Sequence, residues 1–105
     1  MSLDPNSSPM PMSSTPAVRH NAALSRYELD VDGHVAFANY RLRDGVVGIT
    51  HTETPEALRG RGIGSQLVLG VLDHVRAQGL KVKPLCSFAR HVIAQHPEAR
   101  DLLAP

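Results

Sequence analysis

Residues 57–68, ALRGRGIGSQLV, place three glycines and two arginines directly before an apolar run. Glycine allows the backbone to approach a ligand closely, and the first turn of a helix offers unpaired N–H groups at the positive end of the helix dipole. Arg59 and Arg61 add positive charge, and Ser65 can donate its hydroxyl. We therefore predict an anion-binding loop at the start of a helix. The alternative is a flexible turn whose arginines are solvated.

Residues that this segment lacks narrow the choice of anion. A P-loop needs the pattern GxxxxGK[ST], and the segment contains no lysine. A dinucleotide fingerprint needs GxGxxG after a strand and an acid about 20 residues later, whereas here the glycines run into Ser65 and the chain continues to Lys81-Val-Lys83. The pattern disfavours both a nucleoside triphosphate hydrolase and an NAD enzyme.

Cys86 is the single cysteine of the chain and is predicted to lie between the end of a strand and the start of a helix. A helix N-terminus stabilises a thiolate, so Cys86 is a candidate general acid or a nucleophile that could form a covalent intermediate. The alternative is a small buried apolar side chain. A lone cysteine excludes an internal disulfide and a thiolate zinc site.

His51 and Glu53 are further candidates for proton transfer. A histidine titrates near neutral pH and can act as a general base, and a carboxylate can do so through water. The alternatives are an exposed strand histidine and a solvated surface carboxylate. The spacing of the other histidines assembles no metal site, so we expect no metal. Phe37, Tyr40 and Phe88 are interpreted as core residues.

The elements that must position these residues begin with strands. Asp32-Gly33 and Asp44-Gly45 separate runs of alternating polarity, and such Asp-Gly pairs are strong hairpin signals. The sequence therefore predicts an antiparallel meander of three strands, 27–31, 34–40 and 46–52.

The second half of the chain predicts helices around one further strand. Apolar residues recur at the helical period from Ile63 to Val75, and Gly79 suits the position just after the helix. Residues 80–86 are predicted to form a strand, Ser87 to cap a helix over 88–95, and a short helix to begin near Pro97. The order β-β-β-α-β-α makes the last two strands parallel, joined by a right-handed crossover.

Composition limits the classes of partner. The chain has 105 residues and a formal net charge of +1, which gives little reason to expect nucleic acid or an anionic membrane as a partner. Residues 1–20, rich in serine and proline over their first part, are predicted to be a disordered tail before one domain over 21–105. We expect a cytoplasmic protein, a monomer or a weak homodimer.

The segment from Arg59 to Gly64 matches the pattern Arg/Gln-x-x-Gly-x-Gly/Ala, which resembles the coenzyme A pyrophosphate loop of the GNAT superfamily of N-acetyltransferases. Residues 26–103 further resemble the short, single-domain GNAT-like group. Its motifs recur here in order as His51-Thr-Glu53, LRGRGIGSQLV at 58–68, Pro84-Leu-Cys86 and His96-Pro-Glu98.

This resemblance implies an α/β GNAT-like fold in which an antiparallel meander is followed by a βαβ unit with a splayed parallel strand pair. It implies an N-acetyltransferase that uses acetyl-CoA and an amine acceptor, either a protein lysine or a small amine. Thr52 would run beside pantetheine with His51 and Glu53. The loop residues implied to hold the pyrophosphate are Arg59, Gly60, Arg61, Gly62, Ile63, Gly64 and Ser65.

Two positions depart from the pattern of the short group. Ser87 stands where a proline is usual, and Val92 stands where a tyrosine is usual. If that tyrosine is the general acid, this chain lacks it. The alternative function is therefore a non-catalytic sensor or interaction module that binds coenzyme A or an acyl-CoA.

Overall fold

The computed structural model describes residues 17–105, and the predicted disordered segment 1–16 lies outside them. A single five-stranded sheet carries two helices. Short 3₁₀ turns occupy Ala22–Leu24, Glu56–Leu58 and Pro97–Leu102. The strands and helices are β1 (Arg19–Asn21), β2 (Arg26–Val31), β3 (His34–Arg43), β4 (Val46–Glu53), α1 (Ile63–Ala77), β5 (Lys81–Pro84) and α2 (Ser87–Ala94).

The strands lie in sequence order across the sheet. The pairs from β1 to β4 are antiparallel and β5 pairs with β4 in parallel, which confirms the predicted meander and βαβ unit. Both predicted hairpin turns have an aspartate and a glycine at positive φ, 50° and 79° at Asp32 and Gly33, as the twist of a two-residue hairpin requires.

Strand β1 adds an antiparallel edge that the sequence did not predict. Arg19 and His20 were assigned to the tail, yet they pair with Glu28 and Tyr27 of β2. Three residues are too few to show the alternation by which a strand is recognised in a sequence.

Helix α1 covers one face of the sheet with the predicted apolar stripe. Its buried side chains meet Leu29, Ala36 and Ile49 in one core, and burying such a side chain contributes about 1.5–3 kcal/mol. The helix ends as predicted, because Gly79 has a φ of 70° and Leu80 N–H donates to the Val75 carbonyl. The buried residues of the stripe are Ile63, Leu67, Val68, Val71, Leu72 and Val75.

Helix α2 begins one residue earlier than predicted. Cys86, not Ser87, is its N-cap, and the strand before it ends at Pro84 rather than at residue 86. The strand ends early because the N–H groups of Leu85 and Cys86 both donate to the carbonyl of Ile49, at 2.9 and 3.1 Å. Ala89, Val92 and Ile93 bring α2 into the same core as α1.

The opposite face of the sheet carries polar side chains, and no helix of residues 17–105 covers it. Glu28 on this face is nevertheless almost fully buried, because Arg19, Arg26 and Asn21 surround its carboxylate. Arg26 lies 2.6 Å away, and its hydrogen bond is the main cause that holds the pKa of Glu28 below its ordinary value, against the opposing effect of burial.

Gly70 in α1 accommodates the segment before β1. A Cβ at this position would lie 2.7 Å from Val18 Cβ, and the Val18 carbonyl is 2.9 Å from His74 Nε2. Alanine is favoured over glycine by about 1 kcal/mol in a helix interior. We still expect Gly70→Ala to lower the free energy of unfolding by about 1–2 kcal/mol, since Val18 must move.

Urea unfolding measures this effect. Val18→Gly removes the obstructing side chain, so Gly70→Ala in the Val18→Gly background should be neutral or stabilising. Equal destabilisation by Gly70→Ala in both backgrounds would contradict the packing of Val18 on this helix.

Glu28→Gln should lower the free energy of unfolding by about 1–2 kcal/mol at pH 7, because it removes charge-assisted hydrogen bonds from a buried carboxylate. The pKa of the Glu28 carboxyl is lower in the folded state than in the unfolded state. Its contribution to stability is therefore fully present above the unfolded-state pKa and is lost as pH falls through the folded-state pKa. The difference between wild type and variant should therefore shrink below about pH 4.5.

Asp30→Asn is the matched control, because Asp30 pairs with Arg19 at an exposed position on the same strand. Urea titrations at several pH values should show a smaller effect for this variant. A pH-independent cost for Glu28→Gln would contradict the ion-pair interpretation.

Candidate functional site

The glycine-rich loop lies between the Glu56–Leu58 turn and α1. Leu58 is buried in the core and anchors the start of the loop. Gly60 and Gly62 have φ values of 81° and 72°, a region that residues with a side chain rarely adopt. The loop therefore needs these two glycines for its backbone path.

Gly64 is required for a different reason. It lies in the first turn of α1, and a Cβ there would come within 2.8 Å of the Phe88 ring. Phe88 belongs to α2, so the bare backbone of Gly64 lets the two helices approach at this end. The three glycines predicted as one motif thus perform two tasks.

The first turn of α1 leaves its N–H groups without intrahelical acceptors. Its N-cap is Gly62, which has no side chain to accept from them. The Gly62 carbonyl accepts from Gln66 N–H at 3.1 Å, so the helix proper starts here. The N–H groups of Ile63, Gly64 and Ser65 are therefore available to an anion at the positive end of a 15-residue helix.

The two arginines of the loop point in different directions. Arg59 donates to the Thr54 carbonyl at 3.3 Å and lines the cavity beside the glycines. Arg61 extends to Asp32 at the turn between β2 and β3, 3.0 Å away. Both arginines were predicted to add charge to the anion site. Arg59 lines the cavity beside the glycines, whereas Arg61 does not.

A groove runs from the loop to the end of β4. One part, about 300 Å³, lies against the glycines, and a second part, about 360 Å³, lies against residues 51–54. Thr54, Arg59 and Phe88 line both parts and make the groove continuous. Phe88 was interpreted as a core residue. It is instead a partly exposed wall of the groove, because α2 begins at the groove's edge.

Strand β4 presents a free edge to this groove. Its pairing with β5 ends at Ile49 and Pro84, and residues 50–53 continue with β3 on one side only. This is the splayed parallel pair that the sequence resemblance implied. The opening lies between β4 and the start of α2.

Cys86 lies on the helix-covered side of this opening. Its Sγ accepts a hydrogen bond from Ala89 N–H at 3.3 Å and lies 3.9 Å from Thr52 Oγ1. The thiol thus caps α2 and is half buried. Thr52 and Cys86 are brought together as neighbours across the splayed strands.

His51 and Glu53 lie on the open face of the sheet. Their side chains are exposed, with Nε2 of His51 3.0 Å from Oε1 of Glu53. A β-bulge explains their direction. Ile49 pairs with Tyr40 and His51 pairs with Asn39, which leaves Thr50 as an extra residue. In a regular strand without the bulge, Ile49 and His51 would share a face, since side chains alternate and the two residues are two positions apart.

The predicted catalytic residues therefore occupy two sides of β4. His51 and Glu53 form one pair on the open face, and Cys86 lies on the other side with Thr52. The free edge of β4 separates the two pairs. Val92, at the position of the missing tyrosine, is buried and offers no polar group.

Sequence reasoning missed Thr54, Leu58 and Phe88 as groove residues. Only Thr54 carried a signal, since it precedes a proline and so favours extended backbone.

Within residues 17–105, no group of three or more His, Cys, Asp or Glu side chains is arranged to hold a metal ion. No helix of that part of the chain is long and apolar enough to cross a membrane.

Comparison with known proteins agrees with this geometry. The chain is 36% identical over 52 residues to Protein NATD1 of Gallus gallus and of Mus musculus, and the match covers 50% of this chain and 47% of each relative. Protein NATD1 of Danio rerio is 34% identical over 56 residues. The chain spans about half the length of the curated relatives it matches.

A solved structure resembles the fold over most of its length. The solution structure of a GCN5-like protein from Staphylococcus aureus superimposes with a TM-score of 0.65 and 26% sequence identity, covering 88% of this chain and 91% of that one. The predicted GNAT-like α/β fold is thereby confirmed. The family model described as GCN5-related N-acetyl-transferase matches residues 26–102. The chain belongs to the family of GCN5-related N-acetyltransferases.

Proposed function

We propose that this protein binds acetyl-CoA and transfers the acetyl group to an amine. Family membership supports acetyl transfer in general. The observation that carries the proposal for this chain is the continuous groove, which joins the unpaired N–H groups at the start of α1 to the free edge of a strand.

The loop fits the pyrophosphate of the coenzyme. Gly60 and Gly62 keep its surface free of side chains, and the N–H groups of residues 63–65 supply donors. The guanidinium of Arg59 adds a charge-assisted donor beside them. Thr52 and Thr54 would flank the pantetheine chain on its way along β4.

Acetyl-CoA supplies a thioester whose carbonyl an uncharged amine can attack. The C–S bond then breaks, and the coenzyme A thiolate leaves and takes up a proton released from the amine nitrogen. We assign His51 as the base that accepts the proton of the incoming amine, with Glu53 holding the imidazole through their 3.0 Å contact. Their exposure on the open face leaves room for an acceptor. Cys86 is assigned to capping α2, since its sulfur already accepts the Ala89 N–H.

A second candidate function is binding of coenzyme A or an acyl-CoA without catalysis. It is favoured by the buried Val92 and by the separation of Cys86 from His51 on two sides of β4. Tight binding of acetyl-CoA with no turnover across a panel of amines would establish this function and refute the transferase.

Calorimetric titration with coenzyme A tests the loop. Gly62→Val should abolish binding, because valine cannot adopt the backbone conformation that aims the N–H groups. Arg59→Gln should weaken binding about tenfold, the loss of one charge-assisted hydrogen bond. Arg61→Gln is the matched control and should leave the affinity nearly unchanged, since Arg61 is directed at Asp32. Equal losses at both arginines would contradict the assignment.

Steady-state kinetics separates the proposed roles of His51 and Cys86. His51→Ala should lower kcat roughly 100-fold, because the variant lacks the proposed base. Cys86→Ser should retain most of the activity, because serine is a good N-cap, whereas Cys86→Ala should destabilise the protein by about 1 kcal/mol. An inactive but folded Cys86→Ser variant would instead show that the thiol takes part in the chemistry.

A further inference from the structure

A second groove, of about 440 Å³, lies on the open face of the sheet, across β3, β4 and β5. Arg41 of β3 and Lys83 of β5 are both in register with Gly48 of β4. Neighbouring strands are about 4.8 Å apart, so the two cations flank a gap roughly 10 Å wide. Leu85 lies over Gly48, 3.1 Å from where a Cβ would be, and gives the gap an apolar floor.

Arg43, two residues beyond Arg41 on β3, also lines this groove and adds a third positive charge. Arg41, Arg43 and Lys83 thus form a basic groove. Within residues 17–105, the side chains of Arg41, Arg43 and Lys83 have no hydrogen bond or salt bridge to another group, whereas most other arginines and lysines there have an acceptor. Asp44 is the one acidic side chain among the residues that line the groove. Three cations close together, with one carboxylate nearby and no ion pair, leave a net positive potential that favours an anionic partner.

The basic groove shares its face with the His51–Glu53 pair. Arg41 and Arg43 lie two and four residues along β3 from Asn39, the partner of His51, which corresponds to about 7 Å and about 14 Å. The face is therefore positive at the groove and carries a carboxylate, Glu53, beside the proposed base. An acceptor that matches both regions has acidic groups about 10 Å from its amine.

We propose that the basic groove docks an acidic peptide whose lysine, about three residues away from the acidic groups, is the acceptor amine. This proposal rests on the proposed transferase function. A peptide fits better than a nucleic acid, since the exposed carboxylate of Glu53 lies farther along the same face and would repel a continuous polyanion. The lysine ammonium, in contrast, is attracted to Glu53 before it transfers its proton to His51.

Two measurements on the full chain test the proposal, with a matched set of fluorescent peptides. Each peptide carries one lysine three residues from a triplet of glutamates, glutamines or arginines, with the triplet on either side. Anisotropy without acetyl-CoA measures binding, and acetylation assays measure kcat/KM. The glutamate peptide should bind about tenfold more tightly than the glutamine peptide, as a few exposed ion pairs allow, and salt should reduce the difference.

The variant Arg41→Gln/Arg43→Gln/Lys83→Gln should remove this preference, mainly by raising KM, and should leave acetyl-CoA binding unchanged. Arg100→Gln is the matched control, since Arg100 is an exposed arginine outside both grooves. Equal binding of the two peptides, or unchanged binding by the triple variant, would overturn the proposal. So would displacement of the glutamate peptide by a single-stranded oligonucleotide of equal charge at a lower concentration than unlabelled peptide.

The two readouts distinguish the proposals from each other. Groove-dependent binding of the glutamate peptide with no acetylation would refute the transferase function and leave the docking surface standing. Acetylation of all three peptides at rates that the triple variant does not change would refute the docking surface and leave the transferase function standing.

Discussion

The carbonyl oxygen of Ile49 is the point at which the sheet divides. It accepts from the N–H groups of Leu85 and Cys86, so the chain after β5 turns away from β4 at this atom. Strand β4 continues to Glu53 without a neighbour on that side. The free edge, the groove and the start of α2 all depend on this shared acceptor.

The β-bulge at Thr50 adds a second constraint close to the first. One extra residue reverses the alternation of side chains, so Ile49 packs in the core while His51 reaches the open face. Thr52 then faces Cys86. The bulge thus separates a polar, exposed pair from a half-buried thiol across a single strand, and an acyl chain on the free edge would lie between them.

Charge is distributed unevenly over the open face. At one side of the sheet Glu28 is surrounded by Arg19, Arg26 and Asn21, which neutralise and bury it. At the other side Arg41, Arg43 and Lys83 form no ion pair within residues 17–105, and Asp44 is the one acidic side chain that lines their groove. The first cluster stabilises the edge formed by β1, whereas the second provides the net positive charge on which the proposed docking of an acidic peptide depends.

Much of this architecture could be predicted from the sequence, because it depends on local physical rules. The Asp-Gly turns require positive φ, the apolar period of α1 matches a single buried face, and Gly79 ends the helix. The glycine-rich loop before α1 was also predictable, since glycine spacing before a helix is a local feature. The bulge, the early end of β5 and the partners of Arg59 and Arg61 were not.

These features depend on contacts between residues far apart in the chain. Thr50 becomes an extra residue only through the register of β4 against β3, and Cys86 becomes a cap only because Ile49 takes the preceding N–H groups. Arg41 and Lys83 come together only when two strands pair with Gly48 between them. The sequence by itself determined most of the elements and the glycine-rich loop, because their signals lie within one turn or one helical period. Only the tertiary structure decided which side chains share a face, because strand register is a property of paired strands.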